Sequence, residues 1–169
     1  MTKRLTWTVP ALLACALLTG CSSMEKKTAE VRDSAQMREG AQRTSSQVLD
    51  MIALKGKVTD GPPLPLPCEG YEPEGKVERM DHPWSIYDLP YEELEQAYDR
   101  MRTTLPAKGW KVTQDGPDGS AARTPTLRAD APDGDYAVEL QLMDNRKHPT
   151  AKTKALIAVT VVSRCFQPA

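Results

Sequence analysis

Ala155-Leu156-Ile157-Ala158-Val159-Thr160-Val161-Val162 is the stretch that decides the fold. It is β-branched and apolar at both odd and even positions, so it predicts a central strand with both faces at least partly covered. The segment before it alternates instead. Tyr136, Val138, Leu140 and Leu142 fall on one side and Ala137, Glu139 and Gln141 on the other, which predicts a half-buried strand. Residues 144–154, with Asn145, Arg146, Lys147, His148 and Pro149, make a polar loop between the two.

Further toward the amino terminus the period of two continues. Trp110, Val112 and Gln114 alternate with Lys111, Thr113 and Asp115, followed by the turn sequence Asp115-Gly-Pro-Asp-Gly119. Residues 124–131 form another extended stretch, closed by Ala131-Pro-Asp-Gly134. Before these strands the period becomes helical. Tyr91, Leu94, Tyr98, Met101 and Leu105 share one face, Asp88-Leu89-Pro90 opens the helix, and Pro106 and Gly109 close it. Glu92, Glu93 and Glu95 sit near its positive end and Arg100 and Arg102 near its negative end. Residues 75–87 read as extended, with Pro83 placing them at an edge or a bulge. A helix of this kind buries its stripe against a sheet, which predicts an α+β domain of two layers: an antiparallel sheet of about four or five strands with one main helix on a face.

The amino-terminal third reads differently. Residues 22–44 are polar, with Val31, Met37 and scattered Ala among the few apolar side chains, and predict a mobile, partly helical tether. Val48, Leu49, Met51, Ile52 and Leu54 crowd a short amphipathic segment that predicts a docking helix stopped by Gly56. Gly61-Pro62-Pro63-Leu64-Pro65-Leu66-Pro67 then predicts an extended polyproline-like connection, excluded from a central strand.

At the start, Lys3 and Arg4 precede an apolar run from Leu5 to Leu18, and Leu18-Thr19-Gly20-Cys21 follows. That tetrapeptide resembles the lipobox of bacterial lipoproteins. The resemblance implies a diacylglyceryl group on Cys21, cleavage before it, and a polypeptide held at the extracytoplasmic face of the cell membrane. A membrane-spanning helix needs about 20 apolar residues, more than this run supplies. The A-x-A-like site of plain secretion, Ala14-Cys15-Ala16, lies inside the run. As a whole the chain looks like the small Pro/Arg/Asp-rich lipoproteins of high-GC Gram-positive bacteria. The organisation that follows is a signal peptide over 1–20, a polar tether over 21–45, a docking helix and Pro-rich connection over 46–67, and a folded domain over 68–169.

Of the four cysteines, Cys15 leaves with the signal and Cys21 carries lipid, so Cys68 and Cys165 remain. Outside the membrane two thiols read as one disulfide closing the folded domain. Two unpaired buried thiols are the alternative. No C-x-x-C or neighbouring His favours a metal at either position.

The sequence carries no G-x-S-x-G, H-E-x-x-H or Gly-rich phosphate loop, and no cofactor motif. His82 and His148 read as structural or solvated. Asp130, Asp133 and Asp135 match a calcium loop only loosely and read as a turn. With Lys3 and Arg4 set aside, 20 basic side chains face 23 acidic ones, an interspersed balance without the basic stripe that nucleic acid calls for. Trp84, with Tyr87 and Tyr91 close by, is a candidate partner surface, because aromatics dominate binding hot spots. The expectation is therefore a non-enzymatic, lipid-anchored domain that binds or shields something at the cell surface, its partner a protein or wall component. The alternatives are an accessory binding subunit for a solute or cell-wall polymer, which needs a concave pocket, and a small hydrolase, which needs a perturbed carboxylate pair.

Overall fold

The computed structural model describes residues 27–59 and 61–169. Cys21 and the lipobox lie outside the described residues. In chain order the elements are β1 (Lys27–Thr28), β2 (Glu30–Arg32), α1 (Ser34–Ile52), β3 (Lys57–Val58), β4 (Leu64–Pro67), β5 (Tyr71–Glu72), β6 (Glu78–Tyr87), α2 (Tyr91–Ala107), β7 (Lys111–Pro117), β8 (Pro125–Asp130), β9 (Tyr136–Asp144), β10 (Ala155–Ser163) and β11 (Phe166–Pro168). Among the described residues the class is mixed α and β, with two helices and a large, mostly antiparallel sheet of nine strands, where about four or five strands and one main helix are expected.

The sheet runs β2-β11-β6-β10-β9-β8-β7, with β3 and β4 also pairing with β6. β10 is internal as its composition predicts, antiparallel to β6 on one side and to β9 on the other. Residues opposite one another share a face. Ile157, Val159 and Val161 therefore lie with Ile86, Trp84 and His82 and with Leu142, Leu140 and Val138. This face joins the buried residues of both helices in one core, which includes Leu94, Tyr98, Met101 and Leu105 of α2. The opposite face carries Leu156, Ala158, Thr160 and Val162, all partly exposed, and no second layer covers it among the described residues. β10 is thus fully buried on one face and partly covered on the other, as its composition predicts.

The helix predicted over the Tyr91–Leu105 stripe is present as α2. Pro90 occupies the N-cap position and makes no side-chain hydrogen bond, while Asp88 takes a left-handed backbone (φ 65°) and pairs with Lys57 at 2.8 Å.

The polar tether is the main correction. Residues 34–45 are the first part of α1, continuous with the predicted docking helix, and Met37, Gly40, Ala41, Thr44, Ser45, Val48 and Ile52 are buried along it. These positions repeat at three and four residues, but most carry small side chains. Such a stripe packs by close approach instead of by bulk, so a count of large apolar residues overlooks it. Asp33 caps the start, its carboxylate accepting from the Gln36 amide at 2.8 Å. The stop is Ala53, at φ 55°, rather than Gly56. Gly56 serves a different need: a Cβ there would come within 2.6 Å of the Tyr87 carbonyl oxygen.

Pro83 predicts an edge or a bulge, whereas β6 is internal. The alternation of the strand resolves the conflict. Ser85 directs its amide and carbonyl toward Thr59, on the side of β3 and β4, and Pro83, two residues away, faces the same way. That side is interrupted here, because β3 covers only residues 86–87 and β4 only 78–81. The missing amide thus falls in the gap between the two short strands. The Pro-rich connection itself forms β4, on the outer side of β6, its prolines at alternate positions.

Cys68, which ends the Pro-rich edge, and Cys165, between β10 and β11, lie at disulfide distance, with sulfurs 2.01 Å apart and Cα atoms 6.2 Å apart.

Candidate functional site

The two helices cross the same sheet face, and the space between them is not filled along its whole length. α1 contributes Gln47, Asp50 and Met51, α2 contributes Thr104 and Lys108 beyond its last turn, and Trp110 and Pro132 complete the lining. The cleft holds about 550 Å3, within the range of small-molecule sites. Its chemistry follows from the helix faces. Met51, Trp110 and Pro132 offer an apolar bed, and Trp110 is only 6% exposed, so its ring is held by the core beneath. Gln47 and Thr104 are neutral polar groups on opposite helices, and Asp50 and Lys108 place opposite charges on the two walls. Nearby, the Arg100 guanidinium donates to the Ile52 carbonyl at 3.4 Å, joining α2 to the end of α1.

A second cavity, of about 270 Å3, lies between α1 and the β3–β4 edge and contains Ser45, His82 and Trp84. The His82 ring is fixed by two partners. Nε2 lies 3.0 Å from the Gly61 carbonyl, which only accepts, so Nε2 carries the proton and Nδ1 accepts from Ser45 Oγ at 2.7 Å. A serine beside an imidazole oriented by an oxygen has the outline of a nucleophile and base. Ser45, however, lies in the middle of α1, where the surrounding backbone amides are committed to helix hydrogen bonds rather than free to hold a substrate oxyanion. The trio fastens the 57–67 edge to the helix layer.

The aromatic surface expected from Trp84, Tyr87 and Tyr91 does not assemble. Trp84 is 6% exposed and faces the helices, and Tyr87, three residues on, lies on the opposite face of the sheet. Tyr91 sits in the first turn of α2, its hydroxyl donating to Glu95 at 3.0 Å and its ring stacked under the Arg146 guanidinium at 4.0 Å. Arg146 also holds Asp144 at 2.9 Å and Glu92 at 3.1 Å. Those hydrogen bonds keep the Asp144 carboxyl down at about 2. Strand alternation separates Trp84 from Tyr87, a consequence readable from their spacing once residues 78–87 are taken as one strand.

His148 lies in the loop after β9, where its carbonyl accepts from Lys154 Nζ at 3.3 Å. Asp133 accepts from the Asp135 amide at 2.9 Å, within a turn. Among the described residues no group of three His, Cys, Asp or Glu side chains has the arrangement to hold a metal ion, and no helix is long and apolar enough to cross a membrane.

The cleft residues Gln47, Asp50, Met51, Thr104, Lys108 and Pro132 carry no motif. They become a site only because α1 is longer than the apolar pattern suggests and lies beside α2. What the described residues define is a layered domain of two helices on a nine-stranded sheet, with an amphipathic groove in its helical layer. Set against family models, curated proteins and solved structures, the chain matches none.

Proposed function

We propose that this chain is a lipid-anchored extracytoplasmic binding domain, held at the cell membrane through lipid on Cys21, and that it works by binding rather than by catalysis. The observation that carries the binding reading is the cleft between α1 and α2, with Trp110, Met51 and Pro132 as an apolar bed and Asp50, Lys108, Gln47 and Thr104 at its walls. That combination suits a small amphipathic solute: the bed accepts an apolar body and the walls orient polar ends. It favours the solute-binding form of an accessory subunit over a purely structural shield. The paired cysteines support an oxidising location.

Two experiments test the two halves separately. Cys21→Ala should release the protein from the membrane fraction or leave an unprocessed precursor. Unchanged size and fractionation would contradict the anchor. For the cleft, anilinonaphthalene sulfonate should gain fluorescence with the Trp84→Phe protein and quench Trp110, and Gln47→Trp, which fills the opening, should abolish the gain. Equal dye binding by the filled variant would remove the cleft from the account.

A further inference from the structure

The domain has two unlike ends along the strand direction. The chain enters at one of them: β2 and β11 meet the start of β6, with Glu30 opposite Phe166 and Phe166 opposite Glu78. The Lys27 amide is held by the Gly70 carbonyl at 3.3 Å beside the same end. β6 then runs ten residues to Tyr87, about 30 Å at the usual rise of a strand. At that far end Lys57 lies opposite Tyr87, and Ala155, which follows Lys154, pairs with Asp144.

Here Lys57, Lys152 and Lys154 line one shallow depression of about 390 Å3, together with Tyr87, Asp88, Leu89, Pro90, Thr153 and Ala155. Three lysines stand against one carboxylate, that of Asp88, which Lys57 already holds at 2.8 Å. Lys152 and Lys154 make no ion pair among the described residues, and the Lys154 ammonium donates to the His148 carbonyl at 3.3 Å. Lys147 lies in the same loop. Of the carboxylates alongside, Glu92 and Asp144 are engaged by Arg146, which leaves Glu93 as the remaining acidic neighbour in the first turn of α2. The chain after residue 20 is acidic on balance, 20 basic side chains to 23, so this end is a local reversal of the protein's charge.

We propose that this lysine-lined end docks a phosphodiester polymer of the cell envelope, its repeating anions bridged by Lys57, Lys152 and Lys154. Lysine suits such a ligand, because mobile, strongly hydrated point charges follow successive phosphates along a flexible chain without demanding one geometry. Placement selects the polymer over the protein's own bilayer. This step rests on the anchor reading: Lys27 lies six positions after Cys21, a reach of at most about 21 Å, so lipid on Cys21 keeps the Lys27 end next to the membrane and turns the basic end outward.

The test uses the full-length lipidated protein reconstituted in neutral phosphatidylcholine vesicles and titrated with fluorescently labelled inorganic polyphosphate. The polymer should bind, with affinity falling steeply as salt is raised. Lys152→Glu with Lys154→Glu should weaken binding by about tenfold or more without moving the thermal midpoint. Lys76→Glu with Lys111→Glu, an equal change of charge at the opposite end, should leave binding intact. Absence of binding, equal binding by the first double variant, or equal loss in the second would overturn the proposal. So would cross-bridging of added phosphatidylglycerol vesicles without polyphosphate uptake, which would identify lipid headgroups as the ligand. Flotation of the protein with the vesicles is scored in the same tubes, so a failed anchor registers as protein left at the bottom whether or not polymer is bound.

Discussion

Tyr136 reaches across from β9 to donate its hydroxyl to the Met37 carbonyl of α1 at 3.1 Å, and its ring occupies the space that a side chain at Gly40 would need. A Cβ at Gly40 would fall 2.0 Å from the Tyr136 oxygen and 2.6 Å from Cζ. Replacing Gly by Ala inside a helix ordinarily stabilises by up to about 1 kcal/mol. Here the ring is buried and hydrogen-bonded, so it cannot step aside without losing its partner, and overpacking of this kind costs about 1–3 kcal/mol. Gly40→Ala is therefore expected to lower the urea midpoint, and Tyr136→Phe, which removes the oxygen, to recover part of the loss in the double variant. A Gly40→Ala protein more stable than the parent would show that α1 does not lie against β9.

The same contact explains what was legible in the sequence and what was not. Strands β9 and β10 and the stripe of α2 announce themselves because Val, Ile, Leu, Tyr and Met recur at the periods of two and 3.6, and bulk at a fixed period is unambiguous. α1 buries Gly40, Ala41, Thr44 and Ser45, residues that hydropathy counts as neutral or polar. Their contribution depends on a partner surface that approaches closely, such as the Tyr136 ring, and Tyr136 lies 99 positions along the chain from Met37, the α1 residue it bonds. The four extra strands around β6 are short, and two of them owe their pairing to β6 itself rather than to any alternation of their own. The cleft inherits this difficulty, since three of its lining residues sit on α1.

The ion pair of Asp144 with Arg146 gives a prediction at acid pH. The guanidinium hydrogen bonds hold the carboxyl at about 2, below the ordinary 3.8. The unfolded chain therefore takes up the proton first as pH falls. The stabilisation is complete above about pH 4 and fades toward pH 2. The Asp144 side chain is 34% exposed, so solvent screening limits the effect to about 1 kcal/mol or less. Asp144→Asn should be slightly less stable than the parent at neutral pH and converge with it near pH 2. Parallel melting curves across that range would contradict the assignment.

Tyr98 gives the corresponding prediction at alkaline pH. It is 1% exposed, and burial pushes its hydroxyl up to about 12, against the counteracting pull of Arg102 over the ring. Between pH 10 and 12 the unfolded chain has released this proton and the folded chain retains it, so stability declines as pH rises through that window. Phenolate absorbance should accordingly contain a late component from Tyr98 that appears only as the pH approaches 12. The Tyr98 hydroxyl has no hydrogen-bond partner among the described residues, and removing a buried polar atom of that kind is nearly neutral or stabilising. Tyr98→Phe is expected to fold at least as well at pH 7 and to lose the late-titrating component. Marked destabilisation at pH 7 would point to a partner for the hydroxyl.

Cys68 and Cys165 are 97 positions apart, and closing a loop of that length in the unfolded chain is worth up to about 4.7 kcal/mol in the chain-entropy account. The bridge also has a local task. It joins β4, where Pro65 and Pro67 lack amides for the ladder, to the start of β11, where fully buried Phe166 pairs with both β2 and β6. Cutting it should therefore loosen the Pro-rich edge and the carboxyl-terminal strand before the rest. In a Cys68→Ala, Cys165→Ala protein, hydrogen exchange is expected to rise first at Leu64, Leu66 and residues 166–167, and the urea midpoint to fall. Mass spectrometry of the unreduced parent should find the two cysteines joined. Two alkylatable thiols in the freshly purified protein would show that the pair is reduced, and the edge would then be held by its pairing with β6 and by the Ser45, His82 and Gly61 contacts.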